Sequence, residues 1–167
     1  MDTKHTPDAV DRILAQWNQQ RPDLDVNPMG LLGRLGRLRD HLARDIEAVL
    51  QTHGLNSSSF DVLATLRRAG PPYQLSPSDL LAAMMVTSGT MTNRIDQLEK
   101  QGLVERLPNP QDRRGLLIAL TDKGFDLIDK AVTDHVANQH RLVAALPATQ
   151  QAALDDILRA FLATYEA

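Results

Sequence analysis

Residues 91–124 read "MTNRIDQLEKQGLVERLPNPQDRRGLLIALTDKG", and the spacing of their apolar residues changes twice. Met91, Ile95 and Leu98 recur at helical intervals and stop before Gly102, a residue suited to closing a helix. "LVERL" (103–107) and "GLLIAL" (115–120) are short apolar-rich runs separated by "PNPQDRR" (108–114). That pattern predicts a β-hairpin whose polar loop keeps its prolines out of the ladder. Thr121 and Asp122 then offer a cap for another helix.

Working outward, every other segment reads as helix. Pro7 and "DAVDRILAQWNQQ" (8–20) place Asp8 and Asp11 at a positive helix end, with Val10, Ile13, Leu14 and Trp17 at helical spacing. From Met29 to about His53 the leucines recur at three and four, predicting one long helix closed by Gly54. Ser57–Ser59 offers the cap of a third helix, which ends before Gly70 and the Pro71–Pro72 pair. Ser76 and Pro77 start a fourth that stops near Val86, and Thr87 and Ser88 can cap the fifth. After the hairpin come a long helix from about Lys123 to Leu146 and a last one over 149–165.

Two short helices followed by a two-stranded hairpin form a winged helix-turn-helix, in which the second helix enters a DNA major groove. The expected fold is therefore mainly α with a small β-wing. Long amphipathic helices at both ends must bury their stripes, and a twin subunit provides the surface. One domain over 1–167 is expected, with dimerisation helices at 1–55 and 122–167 and the DNA-binding region at 56–121.

Composition sets the outer limits. The 167 residues include no cysteine and carry a net charge of −3. Thiol redox chemistry, thiolate zinc sites and Cys nucleophiles are thereby excluded. Both flanks are acidic, whereas residues 29–123 hold a slight cationic surplus, which permits a local basic surface for double-stranded DNA. No apolar run approaches a membrane span and the N-terminus lacks the pattern of a secretion signal, so a cytoplasmic protein with no membrane partner is expected.

An enzyme is not expected, because no nucleophile elbow, P-loop or H-E-x-x-H motif is present. His135 and His140 are five apart and do not stack as metal ligands do. Neither a metal nor a cofactor is expected. Gly30, Gly33 and Gly36 lack the preceding strand of a nucleotide-binding turn, and close packing of a helix start explains them better.

On a helical wheel the apolar stripe of 91–100 leaves Gly89, Asn93, Gln97 and Lys100 on the far side and Thr90 on a flank. With Ser88 and Thr92 they form the candidate groove-facing set. Arg94 lies only roughly 65° from the centre of the stripe, too close to the protein for an ordinary phosphate contact. The simplest account of that angle is that it snorkels along the core edge and pairs with a carboxylate. At the hairpin tip, Arg113 and Arg114 can reach a minor groove, with Asp112 holding one of them in place. A solvated charged turn is the alternative for an isolated "DRR".

The segment "SGTMTNRIDQLEKQGLVERLPNPQDRRGLLIALTDKG" (88–124) resembles the most specific stretch of the MarR family of winged-helix regulators: Leu-Glu-x-x-Gly-Leu-Val-x-Arg, a wing with Asp-x-Arg, then Leu-Thr-x-x-Gly. The resemblance implies a homodimer on palindromic operator DNA, in most cases a repressor, answering to a small-molecule effector. "QWNQQRPDLDVNPM" (16–29) and "FDVLATLRRAGPPYQLSPSDL" (60–80) are similar to the urate-responsive branch. That likeness implies an effector site of Trp17, Asp61, Arg94 and Arg106. An aromatic wall beside arginines suits a flat anionic ring, through stacking and charge-assisted hydrogen bonds. An indole or phenolic acid would satisfy the same groups, and a helical interaction protein without a DNA role is the remaining reading.

Overall fold

The computed structural model describes residues 6–84, 91–112 and 115–166. It contains α1 (Ala9–Gln20), α2 (Asn27–Thr52), α3 (Ser57–Arg68), β1 (Gln74–Leu75), α4 (Pro77–Ala83), α5 (Met91–Lys100), β2 (Val104–Pro108), β3 (Leu116–Leu120), α6 (Asp122–Val143) and α7 (Ala148–Leu162). The architecture is the mainly helical one with a small antiparallel sheet, strand order β1-β3-β2. The chain divides into two compact units, Met1–Asp45 and Ile46–Ala167, with α2 running through the boundary.

In the first unit, α1 is capped by Asp8, whose side chain accepts from the Val10 and Asp11 N–H groups while Asp11 reaches back to the Asp8 N–H. Arg34 bridges both carboxylates, at 2.8 Å and 2.5 Å. The Arg34 hydrogen bond, foremost, holds the Asp8 carboxyl well below the usual carboxylate range. Gly30 lies against α1 so closely that a Cβ would sit 2.9 Å from Leu14 Cδ1, and one on Gly33 would touch Val10. Helix packing thus bears on Gly30, whose neighbour is the end of a leucine side chain, whereas at Gly33 a Cβ would make an ordinary contact. Gly36 faces open space.

The second unit is built around a core of Leu50, Leu63, Leu66, Leu80, Leu98, Val104, Ile118 and Ile128. Helix α3 supplies Val62, Leu63 and Leu66, all fully buried, and α5 supplies Ile95 and Leu98. The α3 cap is Asn56, which accepts from the Ser59 N–H at 2.8 Å, because Ser57 is drawn to Glu47 at 2.6 Å; the cap expected at Ser57–Ser59 is corrected accordingly. Helix α4 begins on Ser76 and Pro77 as predicted but ends at Ala83, three residues short of the expected stop, with Met84 already extended (ψ 150). The predicted cap at Thr87 and Ser88 lies outside the described residues.

The hairpin pairs Val104 with Leu120 through Pro108 with Leu116. Pro108 therefore joins the ladder, contrary to expectation. The adjacent rung runs from the Asn109 N–H to the Gly115 carbonyl at 3.0 Å. Pro108 consequently occupies a position on an edge strand whose missing N–H would point outward. The two-residue strand β1, pairing Gln74 with Ala119 and Leu75 with Ile118, has no counterpart in the sequence expectation. It is too short to show a period. Arg67 backs it, stacked over Tyr73 and Phe125 and paired with Asp129 at 2.9 Å.

One joint fixes α5, the hairpin and α6 together. Gly102 (φ 68) closes α5, with Gly102 N–H bonded to Glu99 and Leu103 N–H to Leu98. The same turn meets the start of α6. Thr121 donates its hydroxyl to the Gly102 carbonyl at 2.7 Å and its N–H to the Leu103 carbonyl at 3.2 Å, while capping Gly124. A Cβ on Gly124 would lie 1.9 Å from the Leu103 carbonyl oxygen. Only glycine fits there.

Burial acts on one histidine of α6. His135 packs against Phe60 at 4.8 Å and its Nε2 meets the Gln139 side-chain amide at 2.9 Å. Desolvation lowers its pKa below 6.5. The stability that the neutral ring contributes is complete above 6.5 and drains away as pH falls through the depressed folded value.

Two outcomes are expected. Gly124→Ala should lower the urea-unfolding free energy by about 3 kcal/mol, because backbone rather than a flexible side chain must yield. In parallel denaturation series at pH 7.5 and 5, His135→Leu should gain on the unaltered protein at the lower pH, and a constant difference would clear His135 of the dependence.

Candidate nucleic-acid interface and effector site

The polar face of α5 is open along its described length. Thr92, Asn93, Gln97 and Lys100 are exposed, and Ile95 and Leu98 are buried beneath them. This follows from the 100° advance per residue, which turns the amide, hydroxyl and ammonium groups away from the core. Ser88, Gly89, Thr90, Arg113 and Arg114 lie outside the described residues. Asp112, at the tip, accepts the Gly115 N–H at its carbonyl at 2.9 Å, closing the loop that carries the two arginines in the sequence.

The flanks of α5 carry charge that the sequence reading left out. Arg106 on β2 donates to Asp96 through Nη2 and to Glu99 through Nη1. These carboxylates, Asp96 foremost, raise the pKa of an already strong base. Asp96 and Glu99 are spaced i, i+3, so one guanidinium serves both and ties the hairpin to the helix. Their spacing was a usable signal. By helical advance this pair lies roughly 170° around α5 from Arg94. Arg94 and the Arg106 pairing therefore lie on opposite sides of α5, and the structure does not bring these two predicted site residues together.

Asp61 and Arg94 are in a different condition. The Asp61 side chain is only 13% exposed and its nearest cation, Arg68, stands at 4.0 Å. Asp61 Oδ2 and Arg94 Nη1 are both buried and find no hydrogen-bond partner among the described residues; Thr65 Oγ1, one turn from Asp61, shares that state. Such atoms are costly in a folded protein, and each calls for a partner that the described residues do not supply. Trp17, on α1 in the other unit, is 42% exposed and so is no core anchor of the chain.

A second kind of incompleteness is apolar. None of the residues of α7 is buried, and Leu154, Ile157, Leu158, Phe161 and Leu162 face outward. In the first unit Leu31, Leu32, Leu35 and Leu38 of α2 do the same. No described helix is long and apolar enough to cross a membrane. A patch of this kind on a polar chain marks an association surface.

Two consecutive helices, an open polar face on the second and a paired hairpin behind it define a winged helix-turn-helix protein. The MarR family profile matches residues 55–116. The transcriptional regulator PecS of Dickeya dadantii is 43% identical over 135 residues, covering 81% of each chain. Among solved structures, the MarR-family regulator AbsC of Streptomyces coelicolor superposes with a TM-score of 0.73 at 26% identity, over 86% of this chain and 96% of that one. A mutant MarR of E. coli complexed with operator DNA superposes at 0.68 and 29% identity, over 87% and 97%. The chain belongs to the MarR family of transcriptional regulators.

Arg106→Met should cost about 1 kcal/mol in urea unfolding, a value kept small by the partial exposure of all three groups. The deficit should narrow near 1 M salt, where the ion pairs of the unaltered protein are screened, and a salt-independent deficit would point to lost packing instead.

Proposed function

We propose that the chain is a ligand-responsive regulator, a repressor, that binds palindromic operator DNA as a homodimer and is released by a small anionic aromatic effector such as urate. The observation that carries the DNA reading is the unobstructed polar face of α5. Thr92, Asn93, Gln97 and Lys100 offer groove contacts together with Ser88, Gly89 and Thr90. Arg113 and Arg114 of the wing tip, steadied by Asp112, take the adjacent minor groove. Residues 56–121 act as the DNA-binding region, and 1–55 with 122–167 as the dimerisation helices. The outward leucines of α2 and the unburied α7 support that division.

The effector reading rests on the resemblance to the urate-responsive branch and on two orphaned atoms. Asp61 Oδ2 lacks a donor and Arg94 Nη1 lacks an acceptor. Urate carries N–H donors beside anionic oxygens on one flat ring and meets both needs, with Trp17 offered for stacking. An indole or phenolic acid, with one donor and one carboxylate, is the alternative. Release follows from competition: an anion that takes Arg106 leaves Asp96 and Glu99 uncompensated on the helix that faces the phosphates.

Gel retardation and fluorescence anisotropy with a fragment from upstream of the protein's own gene test the reading. Lys100→Ala and Arg114→Ala should each weaken binding and flatten the log affinity against log salt slope by roughly 0.9 per lost phosphate contact. Trp17→Ala should bind the fragment as the unaltered protein does while responding poorly to urate. Undiminished release by urate in that variant would remove Trp17 from the site, and a stronger response to an indole or phenolic acid would replace urate as effector.

A further inference from the structure

Thr65 is a polar residue in an apolar place. It lies on α3, 1% exposed, beside the fully buried Val62, Leu63 and Leu66, and its Oγ1 finds no hydrogen-bond partner among the described residues. A threonine inside a helix has an easy remedy, since its hydroxyl can turn back to the carbonyl three or four residues earlier. Thr133 of α6 does so on Asp129 at 2.9 Å and Thr52 of α2 on Val49 at 2.7 Å, although both are exposed to water. Thr65, cut off from water, does not.

A second unpaired atom stands beside it. By helical advance Thr65 lies roughly 40° around α3 from Asp61, one turn earlier, whose Oδ2 is likewise buried and unpartnered. Helix α5, which packs on α3, contributes Arg94 Nη1 in the same condition. One side of α3 therefore offers an acceptor in Asp61 Oδ2 and a donor in the Thr65 hydroxyl, neither of them used by the described residues. An acceptor next to a donor is the complement of a lactam edge, an N–H beside a C=O. Urate and other oxidised purines carry several such edges. An indole or phenolic acid brings its single donor without the neighbouring carbonyl and leaves the Thr65 hydroxyl unpaired.

We propose that Thr65 is a specificity-determining residue of the effector site, its hydroxyl donating to the carbonyl of a lactam edge whose N–H is taken by Asp61. This deepens, and rests on, the effector reading above. A buried hydroxyl left unmatched penalises every ring that lacks the carbonyl. The same hydroxyl weakens the free protein, because its lost hydration is recovered only when a ligand completes it.

Stability and binding should therefore move in opposite directions, which a threonine kept for packing alone would not produce. Thr65→Val keeps the shape and removes the hydroxyl, so the full-length protein, at fixed concentration and without ligand, should unfold at a higher urea midpoint. By isothermal calorimetry its Kd for urate should rise about tenfold, the loss of one hydrogen bond in a closed site. Thr65→Ser keeps the hydroxyl and loses a methyl, and it should unfold at a lower midpoint yet bind urate within about twofold of the unaltered protein. Indoleacetic acid, which has no lactam edge, should bind the Thr65→Val variant no more weakly than the unaltered protein. A lower midpoint for Thr65→Val, an unchanged Kd for urate, or equal weakening toward both ligands overturns the assignment while leaving the effector reading intact. Failure of the unaltered protein to bind urate overturns both.

Discussion

The close approach of Gly124 to the Leu103 carbonyl is the constraint on which the arrangement of α5, the hairpin and α6 depends. Within a few residues of that contact α5 ends, β2 begins, β3 ends and α6 begins. The backbone bonds among Gly102, Leu103 and Thr121 fix the direction of each. Helix α5 has no long-range anchor of comparable stiffness in its polar face, which must stay open. Its aim is therefore set from its C-terminal end and from the buried stripe of Ile95 and Leu98. A side chain at Gly124 would push the start of α6 away from the turn between α5 and β2, because core packing converts a small misfit into displacement of whole elements.

Electrostatics act at a second level. The chain is net negative, with a charge of −3, and two of its carboxylates, Asp96 and Glu99, sit on the very helix proposed to meet phosphates. Arg106 offsets one of the two negative charges and is shared between them. The pairing weakens the repulsion of phosphates by the flank of α5 and binds the helix to the sheet by charge as well as by backbone. It also makes the arginine a point of control, since a ligand that removed it would alter the field at the groove and the tether of the helix together.

Much of this was legible in the sequence, for reasons that can be named. The elements with a strong period or an unambiguous stop signal were recovered: α2 by its leucines, α5 by Met91, Ile95 and Leu98, the hairpin by its change of period, α6 by Thr121. The resemblance marked Gly124 as part of a motif without giving its cause, which is steric and visible only once Leu103 is in place. Strand β1 was missed because two residues carry no period and pair only with a strand more than forty positions away in the chain. Pro108 was assigned to the loop by a rule about donors that an edge position suspends. The partners of Arg106 belong to neither the exposed nor the apolar face of α5 but to the i, i+3 acidic pair between them, which meets Arg106 only once β2 folds back along the helix.

The unfinished features of the chain are of two kinds, and each implies a different partner. Outward leucines on α2 and the unburied apolar side chains of α7 ask for a broad, non-directional surface, which a second copy of the same helices supplies symmetrically. Asp61 Oδ2 and Arg94 Nη1 ask for single, directed hydrogen bonds of opposite sense, which a leucine-rich helix cannot give. Buried unpaired polar atoms are uncommon in a folded protein, and these two lie on α3 and on α5, the proposed recognition helix. The apolar debt is constant and suits a permanent assembly, whereas the polar one can be met or left open from moment to moment. In the proposed regulator, that difference lets one small subunit hold a fixed spacing between its recognition helices and still answer to a metabolite.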